Sequence, residues 1–130
     1  MGKKYLIDTN VVIDLLANRF SEKATDWLEE VINSQEHCLS IINKIELLAF
    51  NGTSTEMTML ELFINESNLL PITESVVNTT ISLRKTKKIK LPDALIAATA
   101  VEYQLVIITR NIDDFKTFVG LDKIINPNSL

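Results

Sequence analysis

The stretch "KKYLIDTNVVIDLL" at residues 3–16 decides how the rest of the chain is read. Tyr5, Leu6 and Ile7 form an apolar run of the kind that becomes a strand buried in a parallel sheet. The run stops at a carboxylate, Asp8, followed by Thr9 and Asn10. An Asp after a strand is often a turn former or a helix cap, and here Asn10 or Thr9 can cap a helix over 11–18. The same position is where open α/β sheets bind ligands, beyond the carboxyl ends of their strands.

Outward from this stretch, short apolar runs at 37–41, 68–72, 105–109 and 123–126 read as further strands, with 4–8 as the first. Between them lie amphipathic helices. One over 22–33 is capped by Ser21, one over 42–50 is stopped by Asn51-Gly52, and two more cover 53–65 and 73–88. Pro92, suited to a first helical turn, opens "PDALIAATAVEYQ", rich in helix formers. Alternating strands and helices point to a parallel sheet of four to five strands with helices on both faces, because right-handed crossovers require them. No repeat, linker or low-complexity tract divides the 130 residues, so a single domain over 1–130 is expected.

Composition narrows the function. Hydrophobic residues make up 46% and charged residues 23%, an ordinary globular balance. No apolar run reaches the length of a membrane span, and the N-terminus lacks a signal-peptide core, so the expected location is the cytoplasm. Cys38 stands alone, which excludes an internal disulfide and a cysteine-based zinc site and makes it a buried thiol. The net charge of −4 argues against nonspecific coating of nucleic acid. The charge is uneven, however: "RKTKKIK" at 84–90 holds five of the 13 basic residues and no acid, leaving eight basic against 17 acidic residues elsewhere.

Three more acidic positions stand at comparable places in the α/β pattern. Glu46 lies on the short helix after the second strand, otherwise apolar on the side of Ile42, Ile45 and Ala49. Asp93 sits in the first turn after Pro92, where the helix dipole favours an anion. "LVIITRNIDDF" delivers Thr109, Arg110, Asn111, Asp113 and Asp114 just past the fourth strand. Each has an ordinary explanation alone: a solvated charge, a dipole partner, turn chemistry. Together they fall where a parallel sheet brings them to one edge. Carboxylates crowded in one cleft repel and raise the pKa of at least one unless a cation neutralises them. Oxygen ligands without a His or Cys cluster specify a hard ion, Mg2+ or Mn2+. His37 is the sole histidine, so a pair of imidazoles cannot share acid and base work, and hydrolysis here has to be metal-driven.

"YLIDTNVVIDLL", "SIINKIEL" at 40–47, "LPDALIAATA" at 91–100, "IITRNIDDF" at 107–115 and the closing "GLDKIINP" at 120–127 resemble, over nearly the whole chain, the successive signatures of PIN-domain ribonucleases, and in particular the VapC toxins of VapBC toxin–antitoxin pairs. The resemblance implies a three-layer α/β/α sandwich, often a homodimer, that cuts RNA with Mg2+ or Mn2+ and is restrained by a VapB-like antitoxin. It carries metal ligation and catalysis to Asp8, Glu46 and Asp93. The fourth acid falls on Asp114, with Asn111 as a neutral ligand or water holder at a place where many PIN domains have an acid. Thr9, Asn10 and Thr109 become groups around the metal or substrate. The implied reaction is in-line attack by a metal-activated water, leaving a 5′-phosphate and a 3′-hydroxyl.

The remaining features fit that expectation or stand beside it. Arg84, Lys85, Lys87 and Lys88, with Arg110 opposite, form an expected RNA-binding rim, although lysines at a helix end also suit its dipole. Phe20, Trp27 and Leu28 are expected in the core. The helix carrying Met57, Met59, Leu60, Leu62, Phe63 and Ile64 is apolar enough to spare a face for an antitoxin or a second subunit. The competing readings are a PIN-like module that binds RNA or protein without cutting, and a metal nuclease outside toxin–antitoxin systems. A phosphohydrolase of the haloacid dehalogenase type also opens on an Asp after its first strand, but it needs a second Asp where this chain has Asn10.

Overall fold

The computed structural model describes residues 2–130; Met1, the first position of the expected domain, lies outside the described residues. The first strand is β1, Tyr5–Ile7, followed by helices α1, Thr9–Leu16, and α2, Glu22–Asn33. Next come β2, His37–Ser40, with α3, Ile41–Leu48, and α4, Ser54–Glu66, then β3, Asn68–Leu70. Helices α5, Glu74–Thr86, and α6, Leu91–Tyr103, lead to β4, Val106–Ile108. Helix α7, Ile112–Val119, and a 3-10 turn, Leu121–Lys123, precede β5, Ile124–Ile125. The five strands form one sheet of order β3-β2-β1-β4-β5, parallel throughout.

Alternation along the strands builds the two cores, since successive side chains of a strand point to opposite faces. Ile7, Leu39 and Ile108 face α1 to α4, where Val11, Val12, Leu28, Val31, Leu47, Leu60 and Ile64 complete one buried cluster. Leu6, Cys38, Leu70 and Ile107 face the other side, against Ile96, Ala97 and Ala100 of α6 and Phe115 of α7. The result is the expected three-layer sandwich. Trp27 and Phe20 pack against the first cluster, with Trp27 meeting Tyr5 edge-on at 5.8 Å, and Cys38 is fully buried.

Several local expectations need correction. Helix α1 begins earlier than expected because Asp8, rather than Thr9 or Asn10, is its N-cap: the Asp8 side chain accepts from Thr9 N at 2.9 Å. Helix α3 ends at Leu48, short of Asn51-Gly52, and its buried residues are Asn43 and Leu47; Ile45 is 58% exposed. Gly52 takes no positive φ; a Cβ there would lie 3.0 Å from the Phe50 ring. Strand β3 stops before Pro71, which has no N–H to donate to a ladder. Helix α7 was not expected at all: its N-cap position, Asn111, makes no side-chain cap, and Phe115 is its buried residue.

Candidate metal centre

The strand order makes the site. From β1 the chain moves outward to β2 and β3, then crosses back to β4 on the other side of β1, so β1 and β4 flank the point where winding reverses. Helices leave in opposite directions at such a point and open a crevice beyond the strand ends. Asp8 follows β1 and Thr109 follows β4, and they meet across that crevice: Thr109 Oγ1 donates to Asp8 Oδ2 at 2.8 Å. Asn10 Nδ2 donates to the same carboxylate oxygen at 3.2 Å, and Asn111 N donates to Thr109 Oγ1 at 3.0 Å.

A second relay reaches Glu46. Ser40, at the end of β2, caps α3 reciprocally with Asn43, whose Oδ1 accepts from Ser40 N at 2.9 Å while Asn43 N donates to Ser40 Oγ at 3.1 Å. That fixes the Asn43 amide, which donates through Nδ2 to Thr9 Oγ1 at 3.2 Å, and Thr9 Oγ1 donates to Glu46 Oε1 at 2.7 Å. Glu46 is exposed on α3, yet its carboxylate is held by half-buried Thr9 of α1, itself held by buried Asn43. Sequence reading missed Ser40 and Asn43. The S-x-x-N spacing at 40–43, directly after a strand, was the available signal, in the manner of a capping box.

Asp93 lies in the first turn of α6 and Asp114 in the first turn of α7. Their proximity shows in their electrostatics. Burial pushes the Asp8 carboxyl from 3.8 up to about 6, against the hydrogen bonds from Thr109 and Thr9, and the charges of Glu46 and Asp93 push the same way. The Asp93 carboxyl is also raised, by burial first and then by Asp114 and Glu46, while Lys90 opposes. Asp8 and Asp93 are thus each pushed by two neighbouring carboxylates. Asp113, highly exposed, pairs with Lys116 at 2.9 Å.

The basic segment divides in two. Arg84 and Lys85 ride the exposed last turn of α5. Lys87, Lys88 and Lys90 instead line a cleft of about 300 Å³ with Asp93, Asp113, Asp114 and Thr117. Lys90, which sequence reading left out of the rim, is the lysine whose charge bears on Asp93. Arg110 lies on the other side of Asn111, with its Nε 2.9 Å from Asp14 of α1. His37 stands at the opposite end of β2 from Ser40, stacked on Phe63 and bonded to Ser67 Oγ at 3.0 Å, and takes no part in the site.

Among the described residues no three His, Cys, Asp or Glu groups close on a point that could hold a metal ion. The donor set nevertheless fits a hard cation: carboxylates in a partly buried cleft, raised by burial and by one another, whose repulsion a divalent ion would relieve. An ion such as Mg2+ binds through one or two carboxylates and keeps several waters, so a complete protein cage is not required.

The family model of the PIN domain matches residues 5–120, and the chain belongs to that family, whose members generally use divalent metal. No curated protein matches the chain. Among solved structures it is similar to FitAcB from Neisseria gonorrhoeae, at 27% identity and a TM-score of 0.77 over 97% of this chain and 99% of that one. A toxin–antitoxin complex from Klebsiella pneumoniae is similar at 26% identity and a TM-score of 0.74, covering 95% and 98% of the two chains. DNA-bound VapBC from Salmonella typhimurium, at 22% identity, a TM-score of 0.78 and coverage of 96% and 98%, shows the same fold.

Proposed function

We propose that this chain is a Mg2+- or Mn2+-dependent endoribonuclease, the toxin of a toxin–antitoxin pair. The observation that carries the reading is that Asp8, at the end of β1, and Asp93, at the start of α6, both have their pKa values raised by burial and by neighbouring carboxylates, Glu46 and Asp93 acting on Asp8, Asp114 and Glu46 on Asp93. A divalent ion, when bound, lowers the pKa of its water and stabilises the charge that builds on a phosphate under attack. Asp8 and Asp93 would hold it, with Glu46 and Asp114 completing its surroundings directly or through water. Thr109 and Thr9 N keep Asp8 in one orientation, and the Ser40–Asn43–Thr9 relay does the same for Glu46. Asn111 would hold water or a phosphate oxygen. Lys87, Lys88, Lys90 and Arg110, with Arg84 and Lys85 further out, draw the RNA backbone toward a cleft whose carboxylates alone would repel it.

The similarity to the toxin–antitoxin complex from Klebsiella pneumoniae supports an antitoxin partner for this chain. Two exposed apolar surfaces are available, one on α3 and α4 at Ile45, Leu48, Met59 and Leu62, the other on α5 and α6 at Val77, Ile81 and Val101. A VapB-like segment and a second copy of the chain would cover them.

The test is cleavage of RNA by purified protein with Mg2+, Mn2+ or chelator, comparing wild type with Asp8→Asn and Asp93→Asn. Metal-dependent cleavage lost in both variants is the expected result; equal activity in Asp93→Asn contradicts it. The open spacing of the acidic groups favours one other reading, a PIN module that binds RNA or protein without cutting. A melting temperature indifferent to Mg2+ and Mn2+ would support that reading, since a ligand of the native state alone must raise it.

A further inference from the structure

Asp14, the second acid of the opening stretch, is absent from the site described above, and it is an unusual residue. It lies on α1 with its side chain 5% exposed, and it faces two arginines from different segments. Arg110, from the segment between β4 and α7, brings its Nε to 2.9 Å of Asp14 Oδ2; Arg19, beyond the end of α1, donates from Nη1 to Oδ1 at 3.2 Å. One buried carboxylate thus gathers two guanidinium groups at the surface, leaving a local charge of one positive unit. The Arg110 Nη groups take no other partner among the described residues, and the side chains of Arg19 and Arg110 remain 67% and 45% exposed.

The placement gives the pair a use. Asp14 is six residues beyond Asp8 on α1, roughly 9 Å of helical rise. The backbone of Arg110 is tied to the site, its N donating to Asn10 Oδ1 at 3.4 Å, and its neighbour Thr109 holds Asp8. A planar guanidinium held to a carboxylate at its Nε keeps both Nη groups available, and these are the donors suited to phosphate oxygens. We propose that Arg19 and Arg110, positioned by Asp14, form a phosphate subsite that takes a backbone phosphate of single-stranded RNA next to the one being cleaved. The inference rests on the ribonuclease reading and specifies where its substrate lies. The opposite rim, at Lys87, Lys88 and Lys90, then receives the strand on the other side of the carboxylates.

The experiment measures binding of a short single-stranded RNA of mixed sequence to the non-cleaving Asp93→Asn protein, across a range of salt, with the melting temperature of every variant. Arg19→Ala and Arg110→Ala are each expected to weaken binding roughly tenfold, the size of one charge-assisted hydrogen bond, and to lower the salt slope by about 0.7. Asp14→Asn separates positioning from charge. It makes the patch more positive, so simple attraction would tighten binding, whereas loss of the anchor weakens it. Arg110→Lys, which keeps the charge and loses the fork, should fail to restore affinity. Unchanged affinity and slope in both arginine variants would overturn the subsite and leave Asp14 as a staple of the fold or a contact for an acidic protein segment. If the Asp93→Asn parent itself binds no RNA, the ribonuclease reading fails and this inference with it.

Discussion

Asp8 concentrates the conflict between stability and function. The residue is 6% exposed, and its carboxyl is pushed from 3.8 to about 6. A raised folded-state pKa means the folded protein holds that proton more tightly than the unfolded chain. The resulting stabilisation is fully present below 3.8 and is lost as pH rises through about 6. The size is about 3 kcal/mol at most. In chelator, Asp8→Asn is therefore expected to be more stable than wild type at pH 8, with the gain vanishing near pH 4; denaturant unfolding of both proteins across that range checks it. A wild type that stays the more stable at pH 8 would mean that burial and the neighbouring acids do not burden the Asp8 carboxylate as described. Thr109 works against the same burden by donating to Asp8. Thr109→Val removes that donor, so the Asp8 carboxyl should titrate higher still, observable in its NMR titration. These roles were partly legible in the sequence. Asp8, Thr9 and Asn10 announce themselves as polar groups ending an apolar strand. Asp14 did not, because a carboxylate within an amphipathic helix reads as a solvent-facing charge until Arg19 and Arg110 are seen to converge on it.

At the scale of elements, the crevice depends on how helices begin. Asp8 caps α1, Ser40 and Asn43 cap α3, and the first turns of α6 and α7 carry Asp93 and Asp114. Asp8, Asp93 and Asp114 thus sit at or near the positive end of a helix dipole, which favours an anion there, whereas Glu46 lies toward the end of α3 and depends on Thr9 instead. Asn43→Ala removes both the capping box and the support of Thr9. It is expected to cost about 1–3 kcal/mol of stability, as a buried partner lost from a hydrogen-bond network does. It should also reduce cleavage by releasing Glu46, and a loss of stability with full activity would detach the relay from the chemistry. The strands were readable because apolar runs bounded by polar residues leave little choice. Helix α7 was not. With no side-chain cap, eight residues and one buried anchor, Phe115, it owes its form to packing against α6 and the following 3-10 turn, which no local pattern reveals.

Over the whole molecule, the sheet order converts dispersed acids into one site and a single basic run into one wall of it. The alternation of strands and helices carried the parallel sheet, and the cluster of acids at strand ends carried the location of the crevice. The pairing of β1 with β4, which brings Thr109 to Asp8, is long-range and was not written in either segment alone. Neutralising Lys85, Lys87 and Lys88 together is expected to weaken RNA binding and flatten its salt dependence by about 0.7 per phosphate contact removed. An unchanged slope would take that wall out of the RNA path. The most direct measurement is a transcriptome-wide map of new RNA 5′ ends after brief expression in bacterial cells, comparing wild type with Asp93→Asn. New ends at one or a few RNA sites in wild type alone are the expected result. Soluble, folded proteins of both kinds with identical 5′ ends would contradict the assignment of an RNA-cleaving toxin to this chain.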